Sequence, residues 1–225
     1  MPKKIAILHT SFVFVSVEPI INDLIADLIP DAEVIHFVDS NVLATVVREQ
    51  GISKQSEARM TSLAQAAEAA GADIIFSACS SLGPALDVAA RSVDIPVLKI
   101  DEAMADRAAR SARRIGMIAT VPTTLAPTAD LIRAAAERLG TEVSVQTRLC
   151  AGAFDVLMAG DRAAHDAMVI EQAKSIAANV DLIVLAQASM DRLAEPLERE
   201  TGLAVLSSPR MGIELLAERV ATIAA

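Results

Sequence analysis

Short apolar runs alternate with longer, alanine-rich amphipathic stretches along the chain. Ile5-Ala6-Ile7-Leu8-His9 has the length and β-branching of a buried strand and ends in the small polar pair Thr10-Ser11. Residues 17–28 carry helical spacing and stop before Pro30. Glu33-Val34-Ile35-His36-Phe37-Val38 reads as a second strand, ending at Asp39-Ser40-Asn41. Residues 56–70 form an Ala-rich helix ended by Gly71. A third strand opens with Asp73-Ile74-Ile75-Phe76, passes through Ser77-Ala78-Cys79-Ser80-Ser81 and reaches Gly83-Pro84. The helix that follows covers 85–91, with Pro84 at or near its first turn. Residues 95–100 are a fourth strand and 103–111 a helix. This alternation predicts an α/β fold with a doubly wound parallel sheet.

The pattern then restarts. Ile115-Gly116-Met117-Ile118-Ala119-Thr120 matches the first strand at an offset of 110. Residues 181–189 match 73–81, and 202–206 match 94–98, both at an offset of 108. Offsets this constant across three strands predict an internal duplication with a unit of normal lobe size. The expected division is 1–111 and 112–225, with the joint near Ser111–Arg114. Residues 212–224 read as a last helix, with the option of packing back on the first lobe. The two lobes are expected to face a central cleft lined by the carboxyl ends of their strands. Four loops would meet there: His9-Thr10-Ser11, Cys79-Ser80-Ser81, residues 120–124 and Gln187-Ala188-Ser189. They are short and rich in hydroxyls, which suits a small ligand bearing a carboxylate.

Composition narrows the partners. A net charge of −9 argues against nucleic acid and against an anionic membrane. Trp and Tyr are absent, so a base-stacking platform is not expected. No apolar run is long enough to span a bilayer, and the N-terminus enters a strand at once. Two cysteines do not make a disulfide framework, which fits a reducing cytoplasm. Small lobes with Ala-rich outer helices are expected to associate as a homo-oligomer.

Cys79 stands where a strand ends and a helix begins, the usual ligand position in an open α/β sheet. Two readings stand: a thiol activated by a helix N-terminus, or a small buried hydrophobe in a tight turn. Cys150, after the strand at 142–148, is a second thiol at a strand end, and buried Cys is common. His9 is a candidate to orient a ligand or to transfer a proton. His36 reads as structural and His165 as an exposed helix residue. The three His are scattered without zinc spacing, and no dinucleotide fingerprint or nucleophile elbow is present, so no metal or cofactor is expected. Asp101-Glu102 reads as a helix cap, and Arg91, Arg113 and Arg114 as solvated helix charges. Lys99, alternating with Leu98 and Ile100 in a strand, could be buried and paired.

With these residues the chain resembles the aspartate/glutamate/hydantoin racemase superfamily. The resemblance covers nearly the whole chain. It rests on the two-lobe layout, on Cys79-Ser80-Ser81, on Ile100-Asp101-Glu102-Ala103 and on the loop from Thr120 to Thr124. It implies two pseudo-symmetric α/β lobes and cofactor-independent chemistry, with one thiol after the third strand of each lobe. One thiolate removes the α-proton and the other thiol returns a proton on the opposite face. On this chain the resemblance implies Cys79 as thiolate, Ser80 and Ser81 as carboxylate binders, and Thr120, Thr123 and Thr124 as an anion-binding loop. The position paired with Cys79 holds Gln187, which neither gives nor takes a proton at neutral pH. Its expected role is to hydrogen-bond the intermediate, with His9, Ser11 and Ser189 among the substrate-binding groups. The superfamily also includes maleate isomerases and arylmalonate decarboxylases, and the latter lack one thiol position, the first. The expected function is a racemase- or isomerase-like enzyme acting on a small carboxylate or amino-acid derivative through one thiolate. The alternatives are a lyase or decarboxylase using the same Cys, or a metabolite-binding homologue.

Overall fold

A computed structural model describes residues 2–12, 15 and 19–223. It holds two parallel four-stranded sheets, each with helices packed on it. The first is built from β1 (Lys4–His9), β2 (Glu33–Val38), β3 (Ile74–Ser77) and β4 (Val97–Lys99), in the spatial order β2-β1-β3-β4. The second is built from β5 (Arg114–Ala119), β6 (Ser144–Leu149), β7 (Leu182–Leu185) and β8 (Ala204–Ser207), in the order β6-β5-β7-β8. The duplication thus extends to register. Ile5 lies opposite Val34 and Ile74, and Ile115 opposite Val145 and Leu182. Even the start of each sheet is clipped alike. The Lys4 amide donates to the Asp73 carboxylate at 2.7 Å, and the Arg114 amide to that of Asp181 at 3.0 Å. Arg114 is therefore a strand residue, ion-paired to Asp181, and not the helix charge expected from the sequence.

The helices are α1 (Ile20–Leu28), α2 (Val42–Glu49), α3 (Lys54–Ala69), α4 (Gly83–Ala89), α5 (Glu102–Ser111), α6 (Pro122–Arg138), α7 (Ala153–Met158), α8 (Arg162–Ala177), α9 (Ala194–Thr201) and α10 (Ser208–Thr222). Of the first expected helix, residues 17 and 18 lie outside the described residues, and α2 was not anticipated. Contacts divide the chain after Ile100 and again after Ser208. One unit runs up to Ile100 and resumes at Pro209, so it includes nearly all of α10. The other runs from Asp101 to Ser208 and so includes α5, which the sequence reading had placed before the joint.

Each unit has its own core. Ile5, Ala6, Ile7 and Leu8 are all inaccessible, as befits a strand covered on both faces. In the first unit Ala6, Leu8 and Ile75 pack with Val42, Met60, Ala64, Leu82 and Leu86. In the second, Ile118, Ile183 and Leu185 pack with Val169, Ala173, Ile176 and Leu197. Two glycines mark where helix and backbone come closest. At Gly116 a Cβ would lie 2.6 Å from Ile176 Cδ1, so α8 rests directly on β5. At Gly212, within α10, a Cβ would lie 2.4 Å from the Ile100 carbonyl oxygen just past β4.

The Gly212 contact is with backbone, which cannot rotate away. Gly212→Ala is expected to destabilise the first unit by about 1–3 kcal/mol, although alanine is the better helix former. Urea unfolding followed by circular dichroism would show it as a lower midpoint. An unchanged or higher midpoint would contradict this packing.

Candidate active site

A sheet ordered 2-1-3-4 reverses direction between its first and third strands. The loops leaving those two strands splay apart and open a crevice at their carboxyl ends. In the first unit these loops carry His9-Thr10-Ser11 and Cys79-Ser80-Ser81. In the second they carry Thr120–Thr124 and Gln187-Ala188-Ser189. The ladder continues one bond past each third strand, from the Ala78 amide to the Leu8 carbonyl at 3.1 Å and from the Ala186 amide to that of Ile118 at 2.9 Å. The next residue is Cys79 in one unit and Gln187 in the other. Both are extended, at φ/ψ of −139°/108° and −133°/143°, and both lead into a 3-10 turn. The structure therefore gives Cys79 and Gln187 the same place in the two repeats.

Cys79 is half-buried and packs on the edge of the first core, so it keeps access to solvent that a fully buried thiol lacks. No α-helix begins at once after it; α4 starts at Gly83, two residues earlier than the sequence reading had it. A 3-10 turn, Ser80–Leu82, intervenes, and α4 has only seven residues. Strong support from a helix dipole is therefore not part of this site. Ser80 is half-buried and Ser81 buried. Behind the turn, Lys99 reaches from β4 to Asp87 on α4 at 2.5 Å, which ties the loop's far end to the sheet. Lys99 is thus paired and mostly buried.

His9, at the end of β1, is 1% exposed. Its Nε2 lies 3.0 Å from Nδ1 of His36, and its Nδ1 has no partner among the described residues. Burial, helped by His36, pushes its pKa down to about 4, so it is neutral at pH 7. Burial also lowers the pKa of His36. His36 is thus more than a strand filler: it is the hydrogen-bond partner of the buried His9.

In the second unit the Gln187 amide is held at both ends. Its Oε1 accepts the backbone N–H of Thr120 at 2.9 Å, and its Nε2 donates to Thr124 Oγ1 at 3.1 Å. The backbone N–H can only donate, so the oxygen must face it and the amide orientation is fixed. One N–H of Gln187 is used on Thr124. Thr120 is buried, and its Oγ1 has no partner among the described residues. Thr124 is buried and Thr123 half-buried in the first turn of α6, which begins at Pro122. Together these groups carry hydroxyls and an amide, which both donate and accept hydrogen bonds.

Ser189 is buried, and its carbonyl accepts a hydrogen bond from Arg192. Arg192 also donates through Nε to Asp166 at 3.3 Å and through Nη2 at 2.5 Å. Asp166 in turn lies 2.7 Å from Nδ1 of His165. This network braces the Gln187 loop against α8, and the sequence reading missed it. It also corrects the placement of His165, which is completely buried. His165, Val169, Ala173 and Ile176 form one stripe at helical spacing, and that stripe is the buried face of α8. The charges flanking His165 had suggested an exposed helix.

Two other expectations change. Asp101 precedes α5 but makes no side-chain cap bond; it is buried, and its carboxylate accepts from Thr128 at 3.5 Å. Cys150 is 2% exposed in the second core, and burial pushes its thiol up to about 11. It is a protonated core residue at neutral pH.

The two thiols are thus expected to separate under iodoacetamide at pH 7. Mass spectrometry should find the label on Cys79 in the native chain and on Cys150 only after denaturation. Native labelling of Cys150 as fast as Cys79 would contradict its burial. His9 gives a second test. The native chain keeps it neutral down to about pH 4, whereas the unfolded chain protonates it near 6.5. Within that window the unfolded state binds more protons, so stability falls as the pH drops, by up to about 3 kcal/mol. His9→Asn should flatten that part of the stability profile in urea unfolding measured from pH 7 to pH 4. A slope equal to that of the parent chain would rule out His9 as its source.

The model of the Asp/Glu/hydantoin racemase family matches residues 15–216. No curated protein matches the chain in sequence. Solved structures share its fold at low identity. Glutamate racemase from Francisella tularensis, in complex with D-glutamate, superposes with a TM-score of 0.72 at 16% identity, over 97% of this chain and 81% of that one. Allantoin racemase from Klebsiella pneumoniae gives 0.69 at 17%, over 97% and 88%. A glycine-to-cysteine mutant of arylmalonate decarboxylase, in a sulfate-associated form, gives 0.63 at 18%, over 99% and 94%. Likeness at this identity speaks for the fold, while the family match spans most of the chain. The duplicated α/β units and that match lead to one conclusion: the chain belongs to the Asp/Glu/hydantoin racemase family of enzymes.

Proposed function

We propose that this enzyme acts without a cofactor on a small carboxylate or amino-acid derivative, through Cys79 as its one catalytic thiol. The observation that carries the proposal is the state of Gln187. It holds the position equivalent to Cys79, and its amide is fixed with the oxygen turned to a backbone N–H. A carboxamide so held donates a hydrogen bond but transfers no proton. In this reading the Cys79 thiolate takes a proton from the substrate α-carbon, or adds to an activated double bond. The second N–H of Gln187 stabilises the negative charge that develops on the substrate oxygen. Ser11, Ser80, Ser81, Thr120, Thr123, Thr124 and Ser189 bind carboxylate or carbonyl oxygens, and His9 lies beside them. A small acidic ligand is supported by this hydroxyl-rich set and by the D-glutamate and sulfate found with the structural neighbours. We further propose a homo-oligomer in a reducing cytoplasm, a setting supported by two cysteines that remain thiols.

With a thiol at one of the two paired positions and an amide at the other, a two-thiol exchange of protons is not part of this reading. This favours isomerisation through a covalent adduct or return of the proton to a single face. It also supports a second reading, decarboxylation, in which the thiol protonates one face of an enediolate. Incubation in heavy water with aspartate, glutamate, maleate, hydantoins and arylmalonates separates these outcomes. An isomerase returns isomerised or labelled substrate, whereas a decarboxylase releases a smaller product of one hand. Cys79→Ser is expected to lower kcat by at least about 1000-fold, and Gln187→Ala by about 10- to 100-fold. Cys150→Ser should remain near the parent rate. Substrate binding that survives in Cys79→Ser with no turnover in the parent would show a binding protein and overturn the enzymatic reading.

A further inference from the structure

We infer that His9 and His36 form a two-ring proton relay between solvent and the Cys79 end of the first unit. The inference deepens the single-thiol reading and rests on it. The inner ring, His9, is 1% exposed and lies at the carboxyl end of β1, the strand that pairs with the Cys79 strand. The outer ring, His36, is exposed on β2, the edge strand of the sheet. The rings meet at 3.0 Å between Nε2 of His9 and Nδ1 of His36. They are kept in place by the ladder, because the Asp39 amide donates to the His9 carbonyl at 3.0 Å. On the inner side, Nδ1 of His9 is buried without a partner among the described residues. A buried ring nitrogen left unsatisfied costs free energy, and a site that exchanges protons gives it a use.

The step balances with both rings neutral. A proton from the site binds the lone pair of His9 Nδ1. The N–H bond at His9 Nε2 breaks as its proton passes to His36 Nδ1, and His36 releases its Nε2 proton to water. Each ring has then changed tautomer, and one proton has entered for one that left. Delivery inward is the same sequence reversed. A reaction that removes a proton and later returns one leaves the pair as it began. The lowering of both pKa values by burial agrees with this, since burial disfavours the imidazolium form of each ring.

The test needs no substrate. In the full chain with 15N-labelled histidine, NMR measures how fast the His9 ring N–H exchanges with water. His36→Gln keeps a hydrogen-bonding group at the ring but cannot pass a proton. It is expected to slow that exchange by about 100-fold or more, the lower end of ordinary proton-transfer assistance. An unchanged or faster rate overturns the relay and leaves local opening as the route. The parent chain supplies the second measurement, should the variant fail to fold. Through a relay, raising the phosphate concentration speeds His9 exchange, because the buffer takes the proton at exposed His36. A rate independent of phosphate overturns it. Neither readout depends on turnover, so a chain inactive on every carboxylate tried would count against the single-thiol reading alone.

Discussion

The pairing of the first strand with the third governs each unit. In this sheet order the two strands lie side by side, although more than sixty residues separate Ile5 from Ile74 and Ile115 from Leu182. Strands buried on both faces have no register freedom, because a one-residue slip would carry Asp73 or Asp181 away from the amide it clips. The loops beyond the strands inherit that precision. His9 and Cys79 emerge from neighbouring strands in one unit, as Thr120 and Gln187 do in the other. The candidate site residues are therefore placed by the least polar part of the chain.

Two copies of one scaffold have been put to different use. In the first, the residue beyond the third strand is a half-buried thiol. In the second, the same position holds an amide that reaches back to the neighbouring strand's loop. The two hydrogen bonds of Gln187 contribute about 1 kcal/mol each in net terms. Their larger effect is directional, since the Thr120 N–H dictates that the amide nitrogen is the end that faces Thr124. Arg192 fixes the same loop from behind by binding the Ser189 carbonyl and the Asp166 carboxylate. The second unit thereby holds Gln187 in one orientation, and the first carries the half-buried thiol of Cys79.

Much of this was legible in the chain. β-branched runs ending in small polar residues marked the strands, and the near-constant offset marked the duplication and paired Cys79 with Gln187. What escaped was set by contacts distant in sequence. The bond between His9 and His36 joins positions 27 apart through strand pairing, and no local pattern announces it. Arg114 looked like a helix charge because its partner Asp181 lies 67 residues away. The α2 helix, only eight residues long, has weak propensity in Val42, Val46 and Val47 and is held by packing. His165 was within reach, because its spacing to Val169 and Ala173 reads as a buried stripe once the flanking charges are set aside.

Burial sorts residues that composition leaves alike. Cys150 and Cys79 both follow strands, yet one thiol is sealed among Ile118, Ala153 and Val169 and held protonated, while the other stays half-open. His165 and His9 are equally inaccessible, but an aspartate and an arginine cluster on one ring nitrogen of His165, which makes it part of a brace. Among the described residues the partner of His9 is the neutral ring of His36, and that ring belongs to an exposed residue. A charged partner pins a proton to one place, whereas a matched neutral ring lets it pass at little cost. Among the buried histidines of the described residues, His9 is thus the one whose surroundings favour movement over structure, and it stands on the strand that pairs with the one leading to Cys79.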